Sequence, residues 1–207
     1  MKILNLDAYN KTALQHDPFD YMIVPGFINE AYFNRLVEDF PKINKPGSFP
    51  LTALSYGPMF ESFLKELKAP AFTAIVGEKF SVDLHNKPMM FSVRGKCSRK
   101  DGKTHTDSKS KIISMLIYMN SSWDKPEGKL RILRSSNLED TAAEIPPVAG
   151  TMLMFRRADN SWHGHPSFEG NRQVVQVNWV TDQKYVEHEQ NRHGFSALLK
   201  KLWPSGY

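Results

Sequence analysis

The chain has 207 residues, 41% hydrophobic and 24% charged, the composition of an ordinary soluble globular protein long enough to bury one sizeable core. Its formal charge of +5 is spread along the chain rather than gathered in one run, so nucleic acid is not an expected partner. Cys97 is the only cysteine, which excludes an intramolecular disulfide and a thiolate zinc cluster and leaves histidines and carboxylates to bind any metal.

No apolar stretch approaches the roughly 20 residues needed to cross a bilayer. The opening MKILNLDAYNKTALQHD lacks a signal-peptide core and a small-residue cleavage site, so a cytoplasmic location is expected. From Asp20 the text reads as a short strand, a Pro-Gly turn and a helix. Phe33, Leu36, Val37 and Phe40 recur at helical spacing, Asn29 is the expected N-cap, Glu30 lies in the first turn and Pro41 marks the stop. A loop rich in Pro, Gly and Ser runs to about Leu54. Further helices are predicted over Met59 to Leu67 and Ala71 to Phe80, which makes residues 1–81 a mainly helical buttress.

Beyond Val82 the pattern changes to short β-prone runs between turn residues: MMFSVRG, KIISMLIYMN, KLRILRS, TMLMFRR and QVVQVNWV. Strands at short spacing with no helical pattern between them predict a β-sandwich or barrel over residues 82–182. Residues 183–207 are expected to end in a helix docked on that barrel, with Phe195, Leu198, Leu199 and Leu202 on one face and Lys200 and Lys201 on the other. No repeat or linker divides the chain, so a single domain is expected.

Within KTHTDSKSK, His105 and Asp107 are separated by one residue. An extended chain turns both to one side, where an imidazole nitrogen and a carboxylate oxygen can converge on a metal. Such a pair is common by chance and acquires meaning only with a third ligand. His163, just before the final strand, supplies one. Two histidines and a carboxylate on one face of an octahedron leave positions open for a chelating cosubstrate and dioxygen, which suits non-haem Fe(II). Nine residues further on, Arg172 opens an otherwise apolar strand. A buried guanidinium needs an anion, and its planar fork matches a carboxylate such as the distal end of 2-oxoglutarate. Gln176 and Asn178 share the face of Arg172 by alternation, either lining the cosubstrate pocket or packing in the core.

The stretch from His105 to Val180 resembles the prolyl-hydroxylase-like family of 2-oxoglutarate/Fe(II) dioxygenases. The resemblance is carried by HTD at 105–107, YMN at 118–120, EGKLRI at 127–132, PPVAGTMLMF at 146–155, and His163 with Arg172; SSWDK and the early IVPGFINEAYFNRLVEDFP are also similar. It implies a double-stranded β-helix, or jelly roll, with N-terminal helices and a C-terminal helix around it. It also implies His105, Asp107 and His163 as iron ligands and Arg172 as carboxylate anchor. Tyr118 would bond the same carboxylate, the alternative being a core aromatic, and Gln176 would belong to the cosubstrate pocket. The implied cofactors are Fe(II), 2-oxoglutarate and O2, with ascorbate admitted as an accessory reductant. The reaction would hydroxylate a C–H bond of a protein side chain, prolyl-type, or of a small molecule, releasing succinate and CO2.

Two departures stand out. The family's Gly-Gly becomes Gly128-Lys129, and His165 follows His163 closely enough to offer a second registration; its spacing to Arg172 and the turn Ser161-Trp162-His163-Gly164 favour His163. The basic segment from Arg94 to Lys111 leads into the ligands and suggests an acidic or phosphorylated substrate, against the alternative of a solvated loop. Two other classes compete: a zinc hydrolase on the same ligands, and a non-catalytic jelly-roll binding protein. Neither accounts for an intact triad together with Arg172.

Overall fold

The computed structural model describes residues 2–148 and 150–187; the helix expected around Phe195 to Leu202 lies outside them. The elements, in order, are α1 (Leu6–Lys11), β1 (Tyr21–Val24), α2 (Glu30–Glu38), β2 (Phe49–Pro50), α3 (Pro58–Leu67), α4 (Pro70–Phe80), β3 (Met89–Cys97), β4 (Lys111–Tyr118), β5 (Leu130–Leu133), β6 (Thr141–Ile145), β7 (Met152–Arg156), β8 (His163–Gly164) and β9 (Gly170–Val180), with a short 3₁₀ turn at Leu51–Ala53. The architecture is mainly antiparallel β with helices. One sheet has the strand order β1-β7-β4-β9-β3-β2, and a second has the order β6-β5-β8.

Each helix is held by an apolar stripe and a specific stop. In α3, Pro58 fills the first position, where a backbone N–H is dispensable, and Met59, Phe60, Phe63, Leu64 and Leu67 are buried. Its exposed first turn is satisfied from the end of α2, where the Asp39 carboxylate accepts the Met59 N–H at 2.6 Å. In α4, Phe72, Val76 and Phe80 face inward, and Ser81 ends the helix in the left-handed region (φ 51°). Asn29 does precede α2, but it makes no side-chain cap. Its amide reaches the Lys2 carbonyl instead, at 2.6 Å, tying the N-terminal segment to the helix.

Alternation along the large sheet divides two environments. On β4 and β9, Ile113, Met115, Ile117, Val175, Val177 and Trp179 pack against Phe60, Phe63, Leu64 and Phe72 of the helices. The opposite faces present Tyr118 and Val174, which meet Leu130, Ile132 and Ile145 of the small sheet. The polar residues of that inner face, Ser114, Tyr118, Arg172, Gln176 and Asn178, are the raw material of the site.

The helical buttress is less pure than its sequence suggests. β1 pairs with β7 and β2 with β3, so two strands of the first eighty residues extend the large sheet. β6, which is not among the β-prone runs named above, is a half-exposed run, Thr-Ala-Ala-Glu-Ile, without a buried alternating face, and β8 is too short to leave a pattern. Among the described residues no helix is long and apolar enough to cross a membrane.

Candidate metal centre and anion anchor

His105, Asp107 and His163 each offer a ligand atom, and these atoms lie within 4.8 Å of one another. Backbone pairing holds the two histidines together. His105 and His163 form an antiparallel bridge with reciprocal N–H to carbonyl bonds of 3.0 Å, and their rings lie 4.3 Å apart. Each ring is then turned by a second bond: Nδ1 of His105 meets the Lys103 carbonyl and Nδ1 of His163 meets the Ser161 carbonyl, both at 2.9 Å. A carbonyl only accepts, so each Nδ1 carries the proton and each Nε2 keeps its lone pair for a metal. The donor set therefore fits a divalent cation of the first transition row.

Electrostatics puts Asp107 and His163 in the forms that could bind a metal. Burial holds the His163 imidazole down to about 4, against an opposing pull from Asp107, so it is neutral at neutral pH. Burial alone would raise Asp107, but Lys111, His163 and Ser114 outweigh it and bring the carboxyl down to about 2. Lys111 Nζ lies 2.6 Å from Asp107 Oδ1, and Ser114 donates to Oδ2 at 2.5 Å. Ser114 Oγ is also 2.9 Å from the Asn178 amide. A hydroxyl has one proton, which the ionised carboxylate claims first, and Asn178 Oδ1 accepts from the Gln176 amide at 3.4 Å.

Arg172 sits toward the other end of β9 and is 3% exposed. Its Nε donates to the Gly128 carbonyl at 2.8 Å, and its Nη2 lies 3.3 Å from the Tyr118 hydroxyl. Burial raises the Tyr118 pKa despite Arg172, so that hydroxyl is neutral. Gly128 adopts φ +75°, and a Cβ there would lie 2.7 Å from Trp123, so the glycine retained from the Gly-Gly pair delivers the carbonyl that orients Arg172. Lys129 instead pairs with Glu144 at 3.2 Å. No Asp or Glu among the described residues pairs with Arg172.

Gln176 shares the face of Arg172 but does not contact it. Its amide lies 3.4 Å from Asn178 and, with His105 and Asp107, lines a cavity of about 310 Å³. His165 stands apart from the three grouped ligands. Its Nδ1 bonds the Pro166 carbonyl at 2.8 Å, Gly102 packs against its ring, and burial, reinforced by the Arg172 charge, holds it down to about 4. In the basic segment, Arg94 pairs with Asp101, Arg99 with Glu169 and Lys111 with Asp107, so part of its charge is spent internally. Sequence reasoning missed Ser114, whose one signal was a serine on the Tyr118 face of an apolar strand, and counted Lys111 only within the basic segment, because alternation puts it on the other face and the irregularity between Lys111 and Ile113 turns it inward.

Residues 92–181 match the family described as the 2OG-Fe(II) oxygenase superfamily. No curated protein matches the chain in sequence. Among solved structures, a prolyl 4-hydroxylase from Phytophthora capsici is similar in fold, with a TM-score of 0.54 and 12% identity over 87% of this chain and 68% of that one. A Pseudomonas putida prolyl-4-hydroxylase gives a TM-score of 0.48 and 12% identity, covering 84% of this chain and 80% of that one. A Burkholderia pseudomallei oxidoreductase of the 2OG-Fe(II) oxygenase family gives 0.48 and 15%, covering 77% and 82%. Over residues 92–181 the chain is thus similar to the 2OG-Fe(II) oxygenase superfamily, dioxygenases that use Fe(II), 2-oxoglutarate and O2.

Proposed function

We propose that the chain is a hydroxylase that oxidises a C–H bond of a protein side chain or a small molecule and converts 2-oxoglutarate to succinate and CO2. His105, Asp107 and His163 would hold the iron, Arg172 and Tyr118 the distal carboxylate of 2-oxoglutarate. The observation that carries this reading is the buried Arg172 guanidinium, which has a carbonyl and a phenol for partners but no anion among the described residues, in the same domain as a two-histidine, one-carboxylate cluster. A desolvated cation without a counter-charge is costly, and a dicarboxylate cosubstrate supplies one. A zinc hydrolase or an inert binding barrel has no use for it.

The strand order supports a double-stranded β-helix. Residues 102–105 run beside β8 through the His105 bridge and the His165 N–H to Gly102 carbonyl bond. This gives the small sheet the order 102–105, β8, β5, β6 opposite β3, β9, β4, β7.

Bound iron supplies the oxidising chemistry; the chain's own residues supply geometry. The paired Nδ1 contacts aim the imidazoles, and Ser114 fixes the free rotation of the Asp107 carboxylate. Leu130, Ile132, Leu153 and Phe155 form an apolar floor that keeps water from the carboxylate anchor and strengthens its hydrogen bonds. Anaerobic addition of Fe(II) and 2-oxoglutarate is expected to give the weak visible charge-transfer band of the chelate, followed by succinate in air. Absence of both would sink the proposal. The Phytophthora capsici prolyl 4-hydroxylase of like fold suggests a protein substrate; the cavity wall favours a different class.

A further inference from the structure

The cavity beside His105 and Asp107 is walled by two cations, Arg94 and Lys111, two amides, Gln176 and Asn178, and a set of hydroxyls including Ser92 and Tyr185. Among the described residues Met90 is its one purely apolar side chain, and Asp107 is its one carboxylate. A neutral prolyl ring would call for apolar or aromatic walls. At about 310 Å³ the space suits a small molecule or one side chain.

Asp107 carries two claims on its charge. Lys111 Nζ is 2.6 Å from Oδ1, with the lysine side chain only 12% exposed, and a divalent cation on the triad would bind the same carboxylate. Two cations on one carboxylate repel strongly in a poorly hydrated site. The lysine has a flexible four-carbon stem and can yield. Once it does, its ammonium faces a cavity in which no other carboxylate stands among the described residues. Arg94 is held by Asp101 at 2.8 Å, yet a guanidinium has five N–H donors, and Arg94 still lines the cavity. The distal cosubstrate carboxylate is provided for elsewhere, by Arg172.

We propose that metal loading displaces Lys111 from Asp107, and that Lys111 and Arg94 then receive a carboxylate or phosphate of the substrate. The inference rests on the metal-site assignment above and extends it to a substrate class, small polar anions.

The test is a titration of the 2-oxoglutarate-saturated protein with Mn(II), read by the electron paramagnetic resonance signal of free Mn(II), with and without inorganic phosphate and corrected by a protein-free titration. In the wild type, phosphate is expected to tighten Mn(II) binding about fivefold, the low end of coupling between sites. Without phosphate, Lys111→Met is expected to bind Mn(II) about tenfold tighter, because a like charge has gone, and to lose the phosphate effect. Lys111→Arg should stay near wild type, and Arg94→Met should keep Mn(II) affinity but lose most of the phosphate effect. If Lys111→Met fails to fold, Lys111→Gln, which keeps an amide donor without the charge, carries the same comparison. Free glutamate and a glutamate-containing hexapeptide, tested in place of phosphate, separate a free acid from an acidic side chain, and an effect of either sustains the anion class. The proposal is overturned if the charge-removing variant binds Mn(II) no tighter, or if neither phosphate nor either glutamate probe alters wild-type Mn(II) binding. If Asp107→Ala leaves Mn(II) binding intact, the triad assignment itself has failed.

Discussion

Ser114 Oγ lies 2.5 Å from the Asp107 carboxylate, to which it donates, and 2.9 Å from Asn178 Oδ1, so one hydroxyl on β4 stands between the Asp107 loop and β9. Removing the hydroxyl leaves the carboxylate free to rotate. Ser114→Ala should lower Mn(II) affinity by about tenfold, in line with loss of a metal ligand's hydrogen-bond partner. Ser114→Thr, which keeps the hydroxyl, should restore most of it. Equal Mn(II) dissociation constants for wild type and Ser114→Ala would deny Ser114 this role.

The anion anchor gives a graded pair. Arg172→Ala should raise the KM for 2-oxoglutarate by about 10- to 100-fold, the equivalent of a charge-assisted hydrogen bond, while Mn(II) affinity stays unchanged. Tyr118→Phe loses a neutral bond and should cost about fivefold on the same scale. A larger loss for Tyr118→Phe than for Arg172→Ala would reverse the assignment.

In the metal-free protein, acid should act through the two buried histidines. His163 and His165 are each held down to about 4, chiefly by burial, against 6.5 when unfolded. The fold prefers their neutral forms, so the unfolded chain binds more protons in this window. Stability is therefore full above pH 6.5 and falls as the pH drops toward 4. His165→Asn should flatten that fall by about one proton, measured as urea midpoints across the window.

Tyr9 is fully buried, and its hydroxyl has no partner among the described residues. Burial accordingly raises its pKa, and the ring packs on Phe27 and Phe72. Tyr9→Phe keeps that packing and discards an unsatisfied donor, so it should stabilise the protein by about 1 kcal/mol in chemical denaturation. A loss of stability would point to a bond the hydroxyl makes in solution.

Much of this was readable in the chain because the signals were local. Alternation in KIISMLIY and QVVQVNWV marked β4 and β9, and spacing singled out His105, Asp107 and His163, which the fold groups, and Arg172, which it buries on β9. What stayed hidden depends on tertiary partners. Lys111 reads as a surface lysine until Asp107 is seen beside it. Asn29 has the chemistry of a cap, yet the Lys2 carbonyl outcompetes its own helix. β6 lacks an apolar face, and the two residues of β8 are placed by pairing with β5 and His105 alone.

The backbone bridge between His105 and His163 joins segments far apart in the chain, one before β4 and the other after β7. Neither a nascent hairpin nor a helical subdomain can bring the two rings together early, because they meet only when residues 102–105 have paired with β8 at the edge of the small sheet. Metal capture is therefore a reporter of completed folding: by mass action, Mn(II) should slow global unfolding and protect the amides of β8 and residues 102–105 from hydrogen exchange together, as one cooperative unit.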